Sequence, residues 1–120
     1  MEHFQETVAV VLAAGEANGG AFLSVPAGKR AVIEHVSVQA DPANVAIQAN
    51  YFHTSTIGGS GAFRHVPVIV VHQGDSVIGS HPLRAYADPG TEWGGSIRRS
   101  NTTERLVATF VFAGHYVPFT

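Results

Sequence analysis

The sequence predicts an all-β fold: an antiparallel two-sheet sandwich of about eight or nine strands, with a jelly roll as the expected arrangement. Sixteen valines and six isoleucines stand against four leucines. Branching at Cβ restricts a side chain in a helix and packs well on a pleated surface, so this balance favours strands. Clusters of turn-forming residues cut the chain at short intervals: EANGG (16–20), PAG (26–28), DPAN (41–44), TIGGSG (56–61), QGD (73–75), SHP (80–82), DPG (88–90) and SNTT (100–103). Short strands between such signals build sandwiches and barrels. No stretch sustains a 3.6-residue apolar period with caps, so little or no helix is expected.

The strands expected between these turns are 6–13, 21–26, 29–40, 44–54, 62–72, 75–81, 83–88, 91–99 and 104–117. In 29–40, Val32, Val36, Val38 and Ala40 share a face with Glu34 while Ile33 lies opposite, which places a bulge near Ile33–Glu34. In 44–54, Val45, Ile47, Ala49 and Tyr51 line one face and Ala46, Gln48 and Asn50 the other, the pattern of a strand buried on one side. The last strand is apolar on both faces. Leu106, Ala108, Phe110, Phe112 and Tyr116 face one way, and Val107, Val111, Ala113 and Val117 the other. Such a strand is either covered on both sides or has an outer face that meets another subunit.

A chain of 120 residues with no long polar or repetitive stretch fits one domain, 1–120. It contains no cysteine. That excludes a disulfide scaffold, a cysteine-held zinc or iron–sulfur site, and a thiol nucleophile. A net charge of −2 with one lysine and six arginines, scattered except for Arg98-Arg99, gives no phosphate-tracking surface, so neither nucleic acid nor an anionic membrane is expected as partner. No apolar run approaches the roughly 20 residues of a membrane-spanning helix. The N-terminal stretch carries Glu2 and Glu6 where an export signal carries basic residues, so no such signal is expected. Charged residues make up only 13% of the chain, about half the usual share. Depletion of Lys and Glu with Arg and aromatics retained is the bias of protein interfaces, and a homo-oligomer is expected.

The stretches SVPAGKRAVIEHVSVQA, LRAYADPGTEW and ATFVFAGHYV resemble small bacterial β-sandwich proteins of unassigned function. The resemblance covers residues 21–117. It implies the sandwich fold and supplies no catalytic residues.

The residues bear on three kinds of site. PAGKR and HQGDSV resemble turns of the cupin superfamily, whose metal centre needs two histidines one residue apart, because i and i+2 on a strand point the same way. The seven histidines (3, 35, 53, 65, 72, 81 and 115) include no such pair, so no metal and no cofactor are expected. GGSG (58–61) lacks the Gly-x-Ser-x-Gly spacing of a nucleophile elbow, and Gly28-Lys29 lacks the flanking residues of a phosphate loop. No catalytic set is nominated. The remaining candidate is a carbohydrate platform, which needs an aromatic face beside planar donors and acceptors. Trp93 follows the loop ADPGTE, near Asp88 and Glu92, with Arg84 and Tyr86 on the preceding strand. An antiparallel pair joined by DPG would cluster Arg84, Tyr86, Asp88, Glu92 and Trp93 at one end of the sandwich. The competing expectation is a core tryptophan beside a salt-bridged turn.

The leading expectation is a non-enzymatic binding or assembly module, acting as a homo-oligomer on a glycan or protein ligand. The alternatives are a cupin-like metal-binding protein or enzyme, and a structural shell or appendage subunit.

Overall fold

The computed structural model describes residues 2–41, 47–56 and 62–119, and for Ala62 the backbone only. The strands are β1 (Glu2–Leu12), β2 (Asn18–Ser24), β3 (Lys29–Asp41), β4 (Ile47–Ser55), β5 (Ala62–Val68), β6 (Val71–Gln73), β7 (Ser76–Ala87), β8 (Glu92–Arg99) and β9 (Leu106–Pro118). They form two sheets, ordered β1-β9-β3-β7-β6 and β2-β8-β4-β5, and every neighbouring pair is antiparallel. The all-β sandwich is thus present, with no helix among the described residues. The pairing is nested: β1 with β9, β2 with β8, β3 with β7 and β4 with β5, so the outermost strands of the sequence meet. At about 3.4 Å per residue, the thirteen-residue strands β3 and β9 reach about 44 Å, which accounts for the long axis of the 47 × 22 × 21 Å body.

Several turns follow from the glycines that end them. In Pro26-Ala27-Gly28-Lys29 and Asp88-Pro89-Gly90-Thr91 the third residue has φ of 75° and 72°, and the fourth N–H donates to the first carbonyl. A positive φ at that position defines a type II turn and selects glycine. Gly74 (φ 59°) opens the two-residue hairpin between Gln73 and Ser76. Asn101 caps its own turn, its side chain accepting from the Thr103 N–H and hydroxyl. Most of DPAN and TIGGSG, together with Val45 and Ala46, lies outside the described residues.

The core fills the space between the sheets. Trp93, Phe110, Phe112, Leu12, Ile33, Ile97, Leu106, Val36 and Val77 are its largest fully buried apolar side chains. Phe110 and Phe112 stack at 5.9 Å, and Trp93 meets Phe112 edge-on at 5.0 Å. Gly95 makes room for them, since a Cβ there would sit 2.7 Å from the Phe110 ring.

The bulge expected in 29–40 is present as a register shift between Ile33 and His35 against both neighbours of β3. It explains the change of parity in the sequence. Ala31 and Ile33 face the core before it; Val36, Val38 and Ala40 face the core after it.

Two expected segments are corrected. SHP is not a turn: 75–81 and 83–88 are one strand, β7, which runs through Pro82. Proline is tolerated there because β6 pairs only with Ser76–Ile78, which leaves Pro82 on an open edge opposite His35 and beside the bulge. Conversely, 62–72 is not one strand. β5 and β6 belong to different sheets, and the chain crosses between them at Ile69–Val70.

Candidate functional site

The fold separates the residues expected to form a ligand site. β7 and β8 do not pair. The DPG turn instead carries the chain from one sheet to the other, which corrects the expected antiparallel pair. Arg84 and Tyr86 sit on the outer face of the five-stranded sheet, alternating with buried Ala85 and Ala87. Glu92 is exposed on the outer face of the four-stranded sheet, opposite Ser24. Trp93 points the other way. It is 1% exposed, opposite Leu23, and its indole N–H has no partner among the described residues. The tryptophan belongs to the core.

Asp88 is architectural. Its carboxylate accepts from Arg30 Nε at 3.1 Å and from the Thr56 N–H at 2.8 Å, while its own N–H donates to the Thr54 carbonyl at 2.9 Å. Burial raises the Asp88 carboxyl, but the Thr56 and Arg30 contacts outweigh it and hold the group below its ordinary value. Beside it, buried His53 of β4 donates from Nδ1 to the Tyr86 carbonyl of β7 at 3.0 Å. Burial keeps this imidazole below its ordinary pKa; the Tyr86 bond opposes that shift and Arg64 adds to it. These contacts clasp one sheet to the other at that end of the sandwich.

Two outer surfaces remain. The first lies on the four-stranded sheet, where Phe22, Gly94, Phe52 and His65 form one row across the four strands. Gly94 lacks a side chain because a Cβ would fall 2.0 Å from the Ala21 carbonyl oxygen. Phe22 and Phe52 meet edge-to-face at 5.3 Å across this gap, and Phe63 and His65 close on Phe52 from the other side, each at 5.5 Å. Phe52 is thereby 2% exposed although it faces outward, whereas Phe22 and Phe63 are 62% and 56% exposed. Beside this aromatic ridge the sheet dips at Gly20 and Ser96. A groove of about 480 Å³ opens there, edged by Asn18, Gln48, Asn50 and Arg98.

The second surface is the outer face of the five-stranded sheet. Three successive rows cross it: Gln5–Ala113–His35–Pro82, Thr7–Val111–Ser37–Ser80 and Ala9–Thr109–Gln39–Ile78. None of these residues is Asp, Glu, Lys or Arg. The inner face of β9 is core, as its pattern predicts, with Leu106, Ala108, Phe110 and Phe112 fully buried. Val107, Val111, Ala113 and Val117 face outward, half-covered. At one margin Glu34, in the bulge, accepts from His115 Nδ1 at 2.6 Å, with the His3 ring 6.2 Å from that of His115. Among the described residues no three histidine or carboxylate side chains gather into a metal-ligating group.

Sequence reasoning missed the aromatic ridge. Its signal was present: Phe52 continues the polar face of Gln48 and Asn50, and an aromatic on the solvent side of an alternating strand needs a partner.

No protein-family model and no curated protein matches the chain. Among solved structures it is similar to a chain of the virus-like particle of extra small virus from the giant freshwater prawn Macrobrachium rosenbergii. The match covers 95% of this chain and 80% of that one, at 8% identity and a TM-score of 0.37. A likeness this distant carries no argument about function.

Proposed function

We propose that the protein is a non-enzymatic assembly subunit that pairs with a second copy through the outer face of its five-stranded sheet. The observation that carries this reading is the absence of formal charge from the three central rows of that face. The solvated face of an antiparallel sheet is polar, and what distinguishes the centre of an interface from such a face is depletion of charge. With strands about 4.8 Å apart and same-face residues about 6.7 Å apart, these rows present about 400 Å² of side chains without formal charge. The Val11–Val107–Asp41 row on one side, and Glu34, Arg84 and the His115–Val32–Tyr86 row on the other, extend the face toward the roughly 800 Å² that each partner of a stable complex contributes and put its charged residues at the rim. Two such faces stack about 10 Å apart, as the sheets of one sandwich do.

The nested strand pairing supports a jelly-roll reading, since one long antiparallel ribbon folded over on itself pairs its strands in this order. Jelly rolls host many functions, so the argument for assembly rests on the face and not on the fold. A glycan ligand is compatible with it, because the groove lies on the opposite sheet and stays open in the pair.

Val111 is at the middle of the face, and covering a valine fully contributes about 1.5–3 kcal/mol. Val111→Lys should give a particle of one-chain mass by light scattering at micromolar concentration, with its circular dichroism unchanged. A wild-type mass of 12.7 kDa under those conditions would end the reading.

A further inference from the structure

We infer that the groove on the outer face of the four-stranded sheet binds a saccharide that carries a carboxylate. The polar groups around it have hydrogen-bonding capacity to spare. Asn18, Gln48, Asn50, Ser96 and Arg98 edge the groove, and among the described residues none of these side chains makes a hydrogen bond or ion pair. Planar amides placed beside exposed aromatic surface suit a ligand with hydroxyls on its rim and an apolar face, which is the chemistry of a sugar ring. The exposed rings of Phe22 and Phe63 supply that surface, and their exposure is otherwise unfavourable. The volume of about 480 Å³ lies in the ordinary range of ligand sites.

Charge selects the kind of sugar. Among the described residues lining the groove, Arg98 is the formally charged one and none is a carboxylate. A guanidinium presents a planar fork that matches a carboxylate with two parallel hydrogen bonds. A second copy of the chain is a poor occupant, because a two-fold contact presents this same groove and the described residues lining it offer Arg98 no carboxylate. A nucleic acid is equally unsuited, since one arginine on a chain of net charge −2 neutralises too few phosphates. The groove is independent of the pairing face, so binding by a monomer and binding by an assembled particle are expected alike.

The test is retention of the full-length chain on immobilised glycans bearing sialic or uronic acid, on their neutral counterparts, and on glycans whose only acid is sulfate. Carboxylate-bearing glycans should be held at least about tenfold more tightly than their neutral counterparts, and retention of the sulfated set alone would overturn the assignment of a carboxylate. Arg98→Gln should reduce their binding to the neutral level. Phe63→Ala should abolish binding of every set with the thermal transition unchanged, because that ring is more than half exposed. If Phe63→Ala unfolds the protein, Ser96→Gln replaces it and should block the trough. Equal retention of all three sets, no retention of any, or full binding by Arg98→Gln would overturn the proposal. Each of these outcomes leaves the light-scattering result on assembly untouched.

Discussion

At the scale of single residues, aromatic side chains reach burial by different routes, and the route depends on which sheet face they occupy. Trp93 and Phe52 are both almost fully buried, yet Trp93 lies between the sheets and Phe52 outside them. Alternation could place Trp93 on either face, since the flanking Glu92 and Gly94 carry no apolar signal. Its loop of acidic residues made it look like a binding platform. What decides the matter is Leu23 beside it and Phe112 beneath it, contacts between strands far apart in sequence. Trp93→Ala should therefore lower stability by about 3–5 kcal/mol, the cost of deleting a large buried ring. Trp93→Phe should cost far less, because it keeps an aromatic contact and removes an unpartnered N–H. Urea unfolding measures the difference. An unfolding midpoint unchanged by the alanine would remove Trp93 from the core.

Among elements, regular alternation was legible and breaks in it were less so. The one-sided strand around Ile47, Ala49 and Tyr51 and the two-faced strand ending the chain could be read directly, because period-two burial follows from the pleat. The bulge could be read too, since it leaves a parity change between Ile33 and Val36. The passage from β5 to β6 left no trace. PVIVV contains no residue that demands a turn, and only the opposite sheet shows where the chain crosses. Gly79 is the residue that permits it, because a Cβ there would lie 2.4 Å from the Ile69 carbonyl oxygen and 3.0 Å from the Val70 side chain. Gly79→Ala should thus act as overpacking against backbone and cost about 1–3 kcal/mol. Gly74→Ala changes a hairpin residue with open space around it and should be penalised mainly through its positive φ. Thermal melts of the two variants, followed by protection of the Ile69–Gln73 amides from hydrogen exchange, separate the mechanisms. Lost protection in Gly79→Ala alone is the expected pattern.

For the molecule as a whole, the two sheets present different outer faces. One carries an aromatic ridge and a groove of unpaired polar groups; the other has no formally charged residue at its centre. Low overall charge was visible in the composition, but composition cannot assign the deficit to one face. That took the register of β1, β9, β3 and β7, which aligns Thr7, Val111, Ser37 and Ser80 in one row. Because the chain has no cysteine, a single introduced cysteine reports one position only. The most direct test of pairing through this face is an intermolecular spin-label distance from Val111→Cys, with Phe63→Cys as the reference on the opposite sheet. Stacked sheets about 10 Å apart, plus two label tethers, predict a defined distance of about 20–30 Å for Val111→Cys, and a much longer one or none for Phe63→Cys. No dipolar coupling from Val111→Cys, or the short distance arising from Phe63→Cys instead, would contradict the account.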